Sequence, residues 1–135
     1  MIIINLKGGL GNQMFQYALG YVLAKKKNCT LLCDIRLQEF YKKNPPPRNV
    51  PREIDLDAFG IKIKQPNNWL LFKVLQNFSN YRLRKYIIII LDFFGVLASR
   101  ERKRVFEKRI FDNKSVNLYI DGYWQSEKYF IDYKK

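Results

Sequence analysis

Histidine is absent from the 135 residues, and with it go the Ser-His-Asp and Cys-His arrangements of nucleophilic catalysis and any histidine-bearing metal site. Cysteine is scarce, with Cys29 and Cys33 the only two. Strand alternation sets both on one face, where a disulfide along a single strand is geometrically poor and two thiols make a weak metal site. They are expected as small buried thiols in a reducing, cytoplasmic compartment. Acid is also in short supply: twelve Asp and Glu face twenty-five Lys and Arg, a net charge of +13. That balance favours an anionic partner, such as a sugar nucleotide, a membrane surface or nucleic acid, or else simply makes a solvated basic surface. Long apolar runs are missing. Asp92 and Gly95 interrupt the stretch 86–98, leaving it too short for ~30 Å of bilayer hydrocarbon. No basic n-region or cleavage site follows Met1, so no secretory signal is expected.

What is present begins with Ile2, Ile3 and Ile4, β-branched as a buried strand prefers. Gly8, Gly9 and Gly11 follow within four residues, then Asn12, Gln13 and a nearly all-round apolar run from Met14 to Ala24 closed by Lys25, Lys26 and Lys27. The pattern predicts strand, glycine loop and buried crossover helix over 14–27, with Asn12 as N-cap. Such a loop lets a ligand lie against the main chain, and the helix aims free N–H groups and its positive dipole end at it, which suits a phosphate. A tight turn explains the same glycines. A dinucleotide fingerprint fits Gly9-x-Gly11 and an acid at Asp34, but Met14 stands where its third glycine belongs. A P-loop fails for want of Gly-Lys-Ser/Thr.

The run 30–33 predicts a second parallel strand, ending at Asp34, which either binds a ligand hydroxyl or serves as a strand-end acid. Residues 38–52, with Pro45, Pro46 and Pro47, read as a surface loop. Ile54, Leu56 and Phe59 offer a short apolar face before Gly60. Leu71, Val74, Leu75 and Phe78 stand at helical spacing, with Asn67 or Asn68 as cap. The run 87–91 is ambiguous between helix and strand. Arg82, Arg84, Lys85, Arg100, Arg102, Lys103 and Arg104 flank the apolar patch, as solvated faces do or as a surface resting on an anionic membrane does. The run 117–120 predicts a strand and Gly122 a turn, with a helix starting near Ser126.

Three segments carry a family resemblance. Gly8-Gly9-Leu10-Gly11-Asn12-Gln13-Met14-Phe15-Gln16-Tyr17-Ala18 resembles the opening motif of the bacterial α-1,2-fucosyltransferases, glycosyltransferase family 11. Arg52-Glu53-Ile54-Asp55-Leu56-Asp57-Ala58-Phe59 is similar to that family's Arg-x-Phe-x-Leu-x-x-Phe segment, with Ile54 in place of the aromatic. Gly122-Tyr123-Trp124-Gln125-Ser126-Glu127-Lys128-Tyr129-Phe130 resembles its Gly-Tyr-Trp-Gln-Ser-x-x-Tyr-Phe block. The motifs stand in family order and span most of the chain.

The resemblance implies inverting transfer of fucose from GDP-fucose to the 2-hydroxyl of a galactose-terminated acceptor, without an essential metal, in a two-lobed GT-B-like fold. Residues 1–135 would be the N-terminal Rossmann-like lobe, incomplete, an α/β unit with a parallel sheet and flanking helices. The substrate-binding residues it implies are Gly8, Gly9, Gly11, Asn12 and Gln13 on the first loop and Tyr123, Trp124 and Gln125 on the last, although Trp124 also suits core packing. The family's His-x-Arg-Arg-Gly-Asp motif, associated with the donor phosphates, is not in this sequence, nor is the donor-binding lobe. No residue is identified as the catalytic base, and the fragment alone is expected to be inactive. A catalytically silent truncated product and a basic membrane- or nucleic-acid-binding domain are the competing readings; no nucleic-acid motif accompanies the basic run 100–109. The expected location is cytoplasmic, with peripheral contact at the inner membrane face.

Overall fold

The structure is a computed structural model that describes residues 1–45, 50, 52–67, 86, 95–103 and 105–133. The expected helix around 71–78, the run 87–91, Pro46 and Pro47, and Arg82, Arg84, Lys85 and Arg104 lie outside the described residues. Four strands form one parallel sheet in the order β2-β1-β4-β3. Strand β1 (Ile2–Asn5) is central, pairing Ile2 with Leu31 of β2 (Leu31–Asp34) and Ile4 with Ile120 of β4 (Leu118–Asp121). Strand β3 (Leu97–Arg100) lies on the far side of β4, with Arg100 opposite Asp121. Ile2, Ile3 and Ile4 are wholly buried, each contributing about 1.5–3 kcal/mol of transfer free energy. A strand covered on both faces has no use for polar alternation, hence its uniform isoleucine run.

Helix α1 (Leu10–Lys26) crosses from β1 to β2, burying Leu19, Gly20, Val22, Leu23 and Ala24. Gly20 sets the packing distance: a Cβ there would fall 2.8 Å from Leu31 Cδ1 and 3.3 Å from Ile4 Cγ2. The helix begins four residues before the expected start, and it is not buried all round, because Met14 and Tyr21 on its outer side are each 43% exposed. Its end is set by Asn28 at φ 48°, where Asn28 N donates to Lys25 O and Cys29 N to Ala24 O, closing orphan carbonyls as a left-handed cap does.

Three expectations need correction. Residues at the start of the expected surface loop form helix α2 (Arg36–Lys43), whose single buried side chain is Gln38. Phe59 is 56% exposed at the end of the 3-10 turn Leu56–Phe59, so Leu56 alone of its trio is fully buried, with Ile54 half-buried. Past Ser126 the chain forms 3-10 turns, Glu127–Tyr129 and Ile131–Tyr133, with no side-chain cap from Ser126. Between β3 and β4 the short helix α3 (Arg109–Asp112) buries Ile110 against the same core as Leu56, Trp124 and Tyr129. No described helix is long and apolar enough to cross a membrane.

Both cysteines are free thiols, Cys33 buried and Cys29 half-buried. Burial, reinforced by the neighbouring Asp34 carboxylate, pushes the Cys33 thiol up to about 12. It therefore stays protonated and unreactive in the folded chain. Because the folded value lies above the unfolded one of 9.0, its stabilising contribution is complete below pH 9 and declines as pH rises toward 12. Alkylation at mildly alkaline pH should label Cys29 alone, with Cys33 reacting only after denaturant is added. Equal labelling rates in the native state would refute this placement.

Candidate functional site

In an open parallel sheet the loops leaving the carboxyl ends of the strands form the ligand crevice. Here the first loop runs from Lys7 through Gly8, at φ 79°, to Gly9, whose extended backbone caps α1. Asn12 is therefore not the N-cap; it lies in the first turn, where its N–H and that of Gln13 both donate to Gly9 O. Among the described residues no side chain caps the helix, and no acid stands in its first turn, so its positive end faces the loop. The backbone angle favours glycine at Gly8, where an added Cβ would also lie 2.5 Å from Asn12 Nδ2 and push that amide aside.

Glutamines hold this loop. Gln13, fully buried, donates through Nε2 to Gly8 O at 2.9 Å and Glu53 O at 2.7 Å, and accepts from Asp55 N at 3.1 Å. Gln38 Nε2 donates to the same Gly8 oxygen at 3.0 Å. Gln16, also fully buried, accepts from Lys7 N at 2.9 Å and donates to Lys7 O at 3.2 Å and Gly122 O at 3.1 Å. With both Nε2 hydrogens spent on backbone, Gln13 positions the loop and has no donor left for a ligand.

The loop after β4 is set by a carboxylate. Glu101 accepts from Tyr123 N at 2.8 Å and Trp124 N at 3.1 Å. Gly122 has φ 154°, and a Cβ there would come 2.5 Å from Glu101 Cβ. Trp124 sits at φ 54°, unusual for a side-chain-bearing residue. Its indole is fully buried and meets Tyr129 edge-on at 5.7 Å, so it packs the core instead of offering a face for sugar stacking. Gln125, by contrast, is exposed, and its Nε2 donates to Asn12 Oδ1 at 2.5 Å. Of the residues expected in the site, the structure thus brings Gly8, Gly9, Asn12 and Gln125 to one mouth, with Gly11 in the first turn of α1 and Tyr123 below the Lys7 ammonium, 5.3 Å from its ring centre.

Sequence reasoning missed the charges underneath. Lys7 Nζ lies 2.5 Å from Asp121 Oδ1, which also accepts from Asn5 Nδ2 at 3.1 Å, while Arg100 Nε stands 3.7 Å from Oδ2. Asp34 is likewise committed, held by the Arg36 fork and by Tyr119 OH at 3.1 Å. It is a strand-end acid, not an open hydroxyl binder. Burial, then the Asp34 and Asp121 carboxylates, raise the Tyr119 phenol well above its ordinary value, so it serves as a neutral donor. The available signal was positional: β2 and β4 both end in aspartate at the carboxyl edge. Among the described residues no three His, Cys, Asp or Glu side chains converge on a metal site. The edge offers backbone N–H groups, a helix dipole, Lys7 and an amide pair, a set suited to an anionic, hydroxyl-rich ligand.

The chain is similar to two bacterial glycosyltransferases. It is 28% identical over 135 residues to an alpha-1,2-colitosyltransferase of Escherichia coli, covering all of this chain and 42% of that protein. It is 31% identical over 99 residues to the O-antigen biosynthesis glycosyltransferase WbnK of Escherichia coli, covering 70% of this chain and 31% of the relative. The chain thus spans less than half the length of these curated relatives. No family model and no solved structure matches it.

Proposed function

We propose that this chain is the N-terminal lobe of an inverting α-1,2-glycosyltransferase that moves fucose from GDP-fucose to the 2-hydroxyl of a galactose-ended glycan. The observation that carries the reading is the Asn12–Gln125 hydrogen bond. It joins the first and last of the three family-like motifs, 113 residues apart, into a single mouth over the positive end of α1. The α-1,2 linkage named in the colitosyltransferase relative supports the linkage; the sugar rests on the motifs.

In this reading the acceptor hydroxyl displaces the nucleoside diphosphate from the sugar's anomeric carbon, and its proton passes to a base. Amide donors at the mouth and the α1 amides would stabilise charge growing on the leaving diphosphate. No metal is required for that role. Asp121, tied to Lys7 and Asn5, is not an open base, and none is assigned to this lobe. The cytoplasm is the compartment that fits a nucleotide-sugar donor.

The test is a transfer assay with GDP-fucose and a galactose-ended oligosaccharide. A longer chain that adds a second lobe after these residues should form an α-1,2-fucosyl product, whereas the 135-residue chain should turn over undetectably because the donor-binding arginines are not in it. Robust turnover by the short chain would refute the need for a second lobe. A longer chain that uses another nucleotide sugar and rejects GDP-fucose would overturn the choice of sugar.

A further inference from the structure

The loop between β3 and α3 leaves the same carboxyl edge as the glycine loop, and the proposed transfer reaction makes no use of it. One acid in it gathers groups from both of its sides. Glu107 Oε1 accepts from Arg102 N at 2.6 Å and Lys103 N at 3.1 Å, while Oε2 meets Arg109. Arg109 also donates to Arg100 O at 2.6 Å. Tyr129 OH, behind the loop, accepts from Glu107 N at 2.8 Å and donates to Val105 O at 3.3 Å. Burial alone would push the Glu107 carboxyl up, but those backbone N–H groups and Arg109 outweigh it and hold it below its ordinary range.

The acid is thus ionised and turned inward, and the loop's other acid, Glu101, is spent on the β4 loop. Arg102, Lys103 and Lys108 remain exposed around a cavity of about 340 Å³, without an ion pair among the described residues. Between them stands Val105, an aliphatic side chain 58% exposed. Phe106, the aromatic of this loop, is half-buried against Tyr129, 4.9 Å between ring centres.

We propose that this loop is a docking surface for an anionic phospholipid membrane, with Arg102, Lys103 and Lys108 meeting lipid phosphates and Val105 entering the interfacial layer. Cations ringing an aliphatic tip match a headgroup region over acyl chains. Single-stranded nucleic acid would instead call for exposed aromatics on which bases stack, and Phe106 faces inward. Docking here turns the carboxyl edge, and the mouth beside it, toward the lipid surface.

The experiment is co-sedimentation of the full chain with phosphatidylcholine vesicles, with and without phosphatidylglycerol. The chain is expected to partition onto the phosphatidylglycerol vesicles, with binding weakened by salt. The triple variant Arg102→Ser, Lys103→Ser, Lys108→Ser should lose on the order of a hundredfold in partitioning, three cations at about 1 kcal/mol each. A charge-matched control, Lys25→Ser, Lys62→Ser, Lys64→Ser, at the cavity beside β2, should stay within a few-fold of the parent. Thermal melts establish that both variants remain folded. Equal losses in the two variants would mean that bulk charge and not this loop binds, and overturn the proposal. So would failure of the parent to bind, equal binding to neutral vesicles, or a loop variant that loses oligonucleotide binding while keeping vesicles. None of these outcomes depends on sugar transfer.

Discussion

Replacing Gln16 with leucine is expected to destabilise the chain by about 3 kcal/mol, because a side chain of similar size removes the amide while keeping the volume. Gln16 forms an amide-to-amide pair with the Lys7 backbone and adds a bond to Gly122 O. Leucine leaves one N–H and two carbonyls without those partners, at roughly 1–3 kcal/mol for each that water cannot reach. Lys7 is only half-buried, which tempers the total. For a chain of this size the melting temperature should fall by about 10 °C. The same change frees the loop after β1 from the loop after β4, so the Asn12–Gln125 contact should loosen with it. Melting within a degree or two of the parent would show that the clip contributes little.

The second expected result separates binding from folding at Asn12, in a longer chain able to transfer sugar. Asn12→Asp keeps an oxygen to accept from Gln125 Nε2 and places an acid in a first turn that has none. That position favours negative charge by about 0.3–1 kcal/mol, so melting should be unchanged or slightly raised. On the proposed reaction, transfer should nevertheless fall by two or more powers of ten, since a carboxylate would replace a donor where that proposal puts the charge of the leaving diphosphate. Wild-type turnover at saturating donor would remove Asn12 from the site and leave it as a contact between loops.

The β-α-β opening was legible because its elements are dictated locally. Isoleucines mark the central strand, and three lysines close the helix. The helix start was misplaced since asparagine is a favoured cap in isolation, whereas the extended backbone of Gly9 takes that position once Gln13 and Gln38 fix Gly8. Strand β3 escaped notice because Ser99 and Arg100 break any apolar pattern; pairing with β4, not propensity, makes it a strand. Gln13 illustrates a deeper limit. A buried amide bonded to backbone and an amide waiting for a ligand are the same letter, and only its three partners distinguish them. Lys7, Glu101 and Asp121 were invisible for the complementary reason: their roles arise from partners as far as 116 residues away.

The central position of β1 also bears on how the chain is made. One of its edges is covered as soon as β2 (Leu31–Asp34) emerges, but the other waits for β4 (Leu118–Asp121). At 5–20 residues per second the interval is on the order of ten seconds. Throughout it, the nascent protein carries an isoleucine-rich strand with an open hydrogen-bonding edge, a template for pairing with a neighbouring chain. Holding the ribosome-bound intermediate in a chaperone's care matters most in that window, and slowing translation between the two strands should increase aggregation more than slowing it after Asp121.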